Sequence, residues 1–284
     1  MNVNTTTIGE WEYKEYSGYN FRVGKDVTSI GHAALASEKL GRIYVSKDNK
    51  YFTAKDKVLF KNCMTPNYPN IFQKNYVTDN YTDKYILHTY PASRVGKEYV
   101  VPDDVIEVYE YAFTGCKNLK RVKIHAGVHS ISESAFFGCI KLKRIEVDKN
   151  NPFYTSVRGV LFSKDMTKLI AYPSGKKQSS YKVPYGVHRI GKGAIACTEY
   201  LEDLIVPETV VSIGERVGED TLFNVHCKKN SIARERLGKN YKETRMEEIR
   251  RFKQGVRERQ AKDKRREKLI NRYQRLIRES EEAE

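Results

Sequence analysis

Residues 111–124 read YAFTGCKNLKRVKI, and residues 134–147 read SAFFGCIKLKRIEV, nearly the same phrase 23 residues later. A unit this short cannot bury an apolar face alone. Copies must stack and share one core between neighbours, which commits the chain to a repeat solenoid. The match runs without gaps from Val101, Val105, Val108, Ala112, Phe113, Cys116, Leu119 and Val122 to Ile124, Val128, Ile131, Ala135, Phe136, Cys139, Leu142 and Ile145. Further copies start at Val183 and Val206, and an earlier one runs from Val23 to Val45, so five copies are visible.

Within the unit, Leu119, Val122 and Ile124 alternate with Arg121 and Lys123, the period of a short strand with one face inward. Val105 and Val108 suit a second extended segment. Ala112 and Phe113 suit a tight turn, where Ala permits close approach and Phe fills the centre. Cys116, Cys139 and Cys197 then read as stacked small hydrophobes rather than metal ligands, since no histidine lies beside them at ligand spacing.

A second repeat interrupts the first. KYFTAKDKVLF (50–60) aligns with PFYTSVRGVLF (152–162) at an offset of 102, and VLFSKDMTKLIAYP reads as a β-hairpin. In the earlier copy the two runs are separated by a stretch rich in Tyr, Asn and Pro, expected to be a long loop. The expected fold is a mainly β repeat solenoid of about five 23-residue turns over 21–227, with hairpin insertions near 46–100 and 148–182. An N-terminal cap segment (1–20) precedes it, and a capping helix (228–243) follows.

The charge of +15 is unevenly spread: residues 228–278 hold 20 Lys/Arg against 7 Asp/Glu, leaving about +6 on residues 1–227. From 244 to 284 the chain lacks proline and is rich in helix formers, so a long basic C-terminal α-helix is expected there. Its apolar positions are too sparse for a continuous coiled-coil seam. Such a helix could dock on the solenoid, recruit a partner, self-associate, or bind nucleic acid or another acidic surface through its charge.

Two phrases, VPDDVIEVYEYAFTGCKNLKRVKI and VPYGVHRIGKGAIACTEYLEDLIVP, resemble the leucine-rich repeats of the BspA-like type. The hairpin phrase with GVLF and LIAYP is a recurrent interruption in that family, and TLFNVHCKKNSIARERLGKNY resembles its usual ending. The resemblance spans roughly residues 20–242. Tyr109 and Ser132 stand where the pattern has Gly, and His125 and Ala126 replace Pro102 and its neighbour. The resemblance implies a protein-binding or surface-recognition module with no catalytic residues, many of whose relatives are secreted or surface-exposed.

No catalytic or metal constellation is evident, so no enzyme activity and no cofactor are expected. The glycines of GKGAIAC and SIGERVGED lack the P-loop and dinucleotide spacings, GxSxG is absent, and PSGKK (173–177) reads as a turn. Five cysteines without a CxxC fit reduced thiols. No apolar run follows a basic start and none approaches a membrane span. A cytoplasmic location is therefore expected, or a secreted or surface one if the natural chain starts earlier. Solenoids present their aligned strands as a binding face. The candidate outward positions on it are Arg42, Tyr44, Arg121, Lys123, Arg144, Glu146 and Asp203, the last followed by the outward Ile205, basic at one end and acidic or apolar at the other, suited to steering an acidic protein partner. The Tyr-rich insertion (Tyr68, Tyr76, Tyr81, Tyr85) is a second candidate surface.

Overall fold

The apolar positions of every repeat copy face inward. This is seen in a computed structural model that describes residues 2–3, 5–63, 83–221 and 223–238. The chain divides into two units, Met1–Arg236 and Leu237–Glu284. Of the second, only residues 237 and 238 are described, as the end of a short helix.

In the first unit, three three-stranded parallel sheets form one wall. The first holds Asn2–Val3, Asn20–Val23 and Arg42–Val45. The central sheet holds Glu98–Val100, Arg121–Ile124 and Arg144–Val147. The last holds Ser180–Lys182, Asp203–Ile205 and Asn224–His226. A second parallel wall is built from Thr7–Ile8 with Ser29–Ile30, then Tyr85–Thr89, Val105–Val108 and Ser130–Ile131, then Lys168–Ala171, Arg189–Ile190 and Ser212–Ile213. Strand Arg121–Ile124 shows why the sequence folds so. Val122 and Ile124 are buried between the walls while Lys123 is exposed, the alternation a half-buried strand requires. Phe113 and Phe136, from adjacent turns, stack with centroids 5.1 Å apart at the centre of the core.

This corrects the expected fold. The solenoid has about nine turns, not five, and the only helix among the described residues is the seven-residue Ile232–Gly238. The long helix over 244–284, with the self-association and nucleic-acid binding assigned to it, lies outside the described residues, as does the Tyr-rich stretch 64–82. The turn count was too low because Asn2–Val3 and Asn20–Val23 are rungs ahead of the first recognised copy, and because the hairpins do more than interrupt. Each pairs antiparallel within itself, Phe52–Lys55 with Val58–Asn62 and Tyr154–Val157 with Val160–Ser163, then joins the second wall. The strands Glu98–Val100 and Ser180–Lys182, which follow the hairpins, are rungs of the first wall in their own right. The hairpin tips cross back to that wall, where the Ile43 N–H donates to the Lys57 carbonyl at 3.0 Å and the Ile145 N–H to the Gly159 carbonyl at 2.9 Å. Each tip thus fills a rung between two sheets. Gly159 suits the close approach there: its φ is +81° and a Cβ would lie 2.7 Å from the Cβ of Arg144, whereas Lys57 holds the equivalent position of the first tip at φ +65°.

Each hairpin is anchored by an asparagine at the same offset of 102. Asn151 is fully buried; its Nδ2 donates to the His125 and Val128 carbonyls at 3.0 Å, and its Oδ1 accepts from the Phe153 and Tyr154 N–H groups. Asn49 makes the same four bonds to Gly24, Val27, Tyr51 and Phe52. These amides clip the start of each hairpin to the preceding turn, satisfying backbone groups that leave the ladder.

A slot of small side chains also runs through the turns. The Cys139 Sγ donates to the Phe113 carbonyl at 2.9 Å, and the Ser174 Oγ to that of Ala196 at 2.9 Å. Cys197 does not join this stack, contrary to expectation. Thr198, one residue later, takes the slot and meets Thr221 Oγ1 at 2.8 Å. Cys197 is half-buried with φ +54°, and burial pushes its thiol up to about 12. The repeat ACT at 196–198 places the cysteine one position early.

His88 links turns on either side of the first hairpin. Its Nε2 lies 3.0 Å from the Ile30 carbonyl and its Nδ1 2.9 Å from Thr89 Oγ1, while its ring stacks on Tyr109. The neutral tautomer with the proton on Nε2 satisfies both contacts. Burial lowers its pKa from 6.5 to about 4.

Two outcomes are expected. Asn151→Ala strands buried backbone groups and should cost about 2–4 kcal/mol in urea unfolding, whereas Asn150→Ala, on the exposed neighbour, should cost under about 0.5 kcal/mol. Because the unfolded chain takes up the His88 proton first, stability should fall as pH drops from 6.5 toward 4. Urea midpoints between pH 7.5 and about 5.5, above most carboxylate titration, should show that slope in the native protein and lose it in His88→Gln.

A candidate binding groove on the strand wall

The expected binding face is divided by the hairpin tips. Arg121, Lys123, Arg144 and Glu146 come together on the central sheet, with Arg121 opposite Arg144 and Lys123 opposite Glu146 in register. Arg42 and Tyr44 lie on the first sheet. There the Arg42 guanidinium sits 5.6 Å from the Tyr19 ring, and the Tyr44 ring receives Arg22 at 4.8 Å and Lys57 at 4.5 Å. Asp203 lies on the last sheet, its Oδ1 2.7 Å from His226 Nε2 and 3.2 Å from Asn224 Nδ2. The seven positions form three patches rather than one continuous ladder.

The central patch opens onto a groove of about 550 Å³. One row in it consists of Lys97, Lys120 and Lys143, the residues just before the three strands. Their backbones are linked rung to rung, with the Lys120 N–H donating to the Lys97 carbonyl at 2.7 Å and the Lys143 N–H to the Lys120 carbonyl at 2.9 Å. Adjacent rungs of a sheet lie about 4.8 Å apart, so this row repeats charge at roughly that interval. A second row is Glu98, Arg121 and Arg144. Arg158 of the second hairpin tip and Lys176 and Lys177 of the next turn close one end. Among the described residues, eight cations and one carboxylate line the groove.

The arginines already hold carboxylates. Arg121 reaches Glu98 at 3.2 Å and Glu146 at 3.5 Å, and Arg144 reaches Glu146 at 3.3 Å. All four side chains are substantially exposed, so these pairs are screened and exchangeable. Lys97, Lys120, Lys143, Arg158, Lys176 and Lys177 have no carboxylate partner among the described residues. Several cations elsewhere are matched: Lys55 with Asp104 and Lys168 with Glu133, each at 2.5 Å, and Arg216 with Glu219 at 2.7 Å.

Sequence reasoning found Arg121 and Arg144 and missed the rest of the groove. The signal for one row was present: LKR occurs at both 119–121 and 142–144, and GKE at 96–98 aligns with them. PSGKK is the turn it was expected to be, with the Lys176 N–H donating to the Pro173 carbonyl at 3.2 Å. That turn also delivers two lysines to the groove. No group of three or more His, Cys, Asp or Glu placed to hold a metal occurs among the described residues, and no helix there is long and apolar enough to cross a membrane.

No curated protein matches the chain. Among solved structures it is similar to a leucine-rich repeat protein from Eubacterium ventriosum, with 20% identity over 80% of this chain and 60% of that one and a TM-score of 0.45. It is also similar to the pneumococcal vaccine antigen PcpA, with 21% identity over 78% and 42% of the two chains and a TM-score of 0.43. A leucine rich cell surface protein from Faecalibacterium prausnitzii shares 20% identity over 78% and 64%, with a TM-score of 0.39. The chain thus spans between 42% and 64% of the length of these structures. Six copies of the BspA type leucine rich repeat region match residues 95–224, and the chain accordingly carries leucine-rich repeats of the BspA type.

Proposed function

We propose that the protein is a non-enzymatic recognition or scaffold module that binds another protein through the strand wall, centred on Arg121, Lys123, Arg144 and Glu146. The observation that carries this reading is the in-register, solvent-facing row of charged side chains on the central sheet, backed by a rigid core. Long charged side chains on such a wall keep a sheet soluble and also steer a complementary partner, an effect that weakens with salt. Arg42 with Tyr44, and Asp203, lie on flanking sheets and would contact only a partner wide enough to pass the hairpin tips.

The face can be altered without unfolding the chain. Arg121→Ala removes only half-exposed ion pairs and should cost under about 1 kcal/mol in urea unfolding. The test compares cross-linked capture by the native protein and by the folded triple variant Arg121→Glu, Lys123→Glu, Arg144→Glu, with captured proteins identified by mass spectrometry. Native bait should retain a protein that the variant loses by at least about tenfold. Identical capture by both baits would reject the strand wall as the binding surface.

A further inference from the structure

The two hairpins offer an internal comparison at the groove. In the first copy, the tip carries Asp56, which pairs with Arg94 of the following turn; Arg94 Nε also donates to the Asp56 carbonyl at 3.3 Å. In the second copy, Lys176 takes the place of Arg94, and its Nζ donates to the Arg158 carbonyl at 2.7 Å. The backbone contact is kept, and the tip conformation is kept, with φ +46° at Asp56 and +51° at Arg158. The acid, however, has become a base. What is an ion pair in one copy is a like-charge contact in the other. Burial, then the nearby Arg144 and Arg158, lower the Lys176 pKa. Such a cluster is stabilised by an anion from outside.

We propose that this groove receives an acidic peptide segment of the partner protein, its carboxylates seated among Arg144, Arg158 and Lys176 and along the lysine row. The proposal rests on the protein-binding reading and specifies the chemistry that the wall recognises. A carboxylate is the anion favoured on this surface, because Glu98 and Glu146 already occupy Arg121 and Arg144 and could be exchanged for a partner's. Among the described residues the groove lining holds no aromatic side chain, and the Tyr200 ring stands beside it at 5.6 Å from Lys177 Nζ, so the row of stacking platforms that single-stranded nucleic acid uses is missing there. Most of its cations are lysines, point charges that accept carboxylates without a fixed bidentate geometry.

The experiment measures fluorescence anisotropy of a labelled oligoglutamate peptide with the full chain, across a salt series. Binding should weaken as salt rises. Arg158→Asp recreates the closed pair of the first copy at a backbone position that tolerates Asp, and should weaken binding at least about tenfold. Lys164→Asp, an equal charge change on the second hairpin outside the groove lining, should leave it unchanged. Lys176→Gln serves as the second groove variant, and thermal melts verify that each variant is folded. Absent binding at low salt, equal binding by the groove variants and native protein, or equal weakening by Lys164→Asp would each overturn the groove assignment. RNA or a sulfated polysaccharide binding more tightly than the peptide, with the same dependence on Arg158, would overturn the peptide class. Partner capture that depends on the strand wall but ignores Arg158→Asp and excess peptide would reject the groove and retain the protein-binding reading. Peptide binding that depends on Arg158, without any wall-dependent capture, would reject that reading instead.

Discussion

The described repeat unit depends on one constraint: a single turn of about 23 residues has two short walls and too little apolar surface to close a core. Each turn is stable only because its neighbours cover its inward side and complete its backbone ladder. The Phe113 and Phe136 stack, the in-register Val122 and Ile145, and the rung-to-rung bonds of Lys97, Lys120 and Lys143 all express that dependence. The same stacking that shares the core also aligns the exposed side chains. Charge on the surface is therefore repeated by the geometry that buries the interior, and a motif such as LKR becomes a row.

The hairpins show how a repeat array accommodates an interruption without losing continuity. Asn49 and Asn151 hold each entry to the preceding turn, and a hairpin-tip carbonyl accepts an N–H of the first wall where a strand would otherwise sit. The interruption changes what the wall displays, because a tip projects different residues from a strand. At the first tip Asp56 pairs with Arg94, and Lys57 lies over the Tyr44 ring. At the second, Arg158 adds to Lys176 and Arg144. Arg158 in place of Asp56, with Lys176 in place of Arg94, turns a structural ion pair into a basic cluster.

The inward positions of Val101 through Ile145 were legible because burial imposes a strict alternation that survives in every copy. The neighbouring of Arg121 and Arg144 followed from the same spacing. The number of turns was not legible, since Glu98–Val100 and Ser180–Lys182, like Asn2–Val3 and Asn20–Val23 at the start, lack the full phrase and need only length and alternation to serve as rungs. Cys197 was misplaced because composition was aligned where position mattered; Thr198 fills the slot with a hydroxyl of similar size. The groove escaped for a different reason. Arg144, Arg158 and Lys176 are separated along the chain, and nothing in local pattern says that a hairpin tip folds back beside a strand.

The amino-acid sequence by itself determined that this chain is a stacked β solenoid with the BspA-type phrase, because periodic burial leaves a periodic record. It also determined that Arg121 and Arg144 stand side by side, since equal spacing in a stack means adjacency. Only the tertiary structure decided that the exposed strand face is broken into three patches, and that one of them deepens into a basic groove. Both follow from where the two tips cross back to the wall. That crossing is set by backbone bonds to Ile43 and Ile145 and by the room that Gly159 leaves against Arg144. Such contacts join residues distant in sequence and leave no period to read.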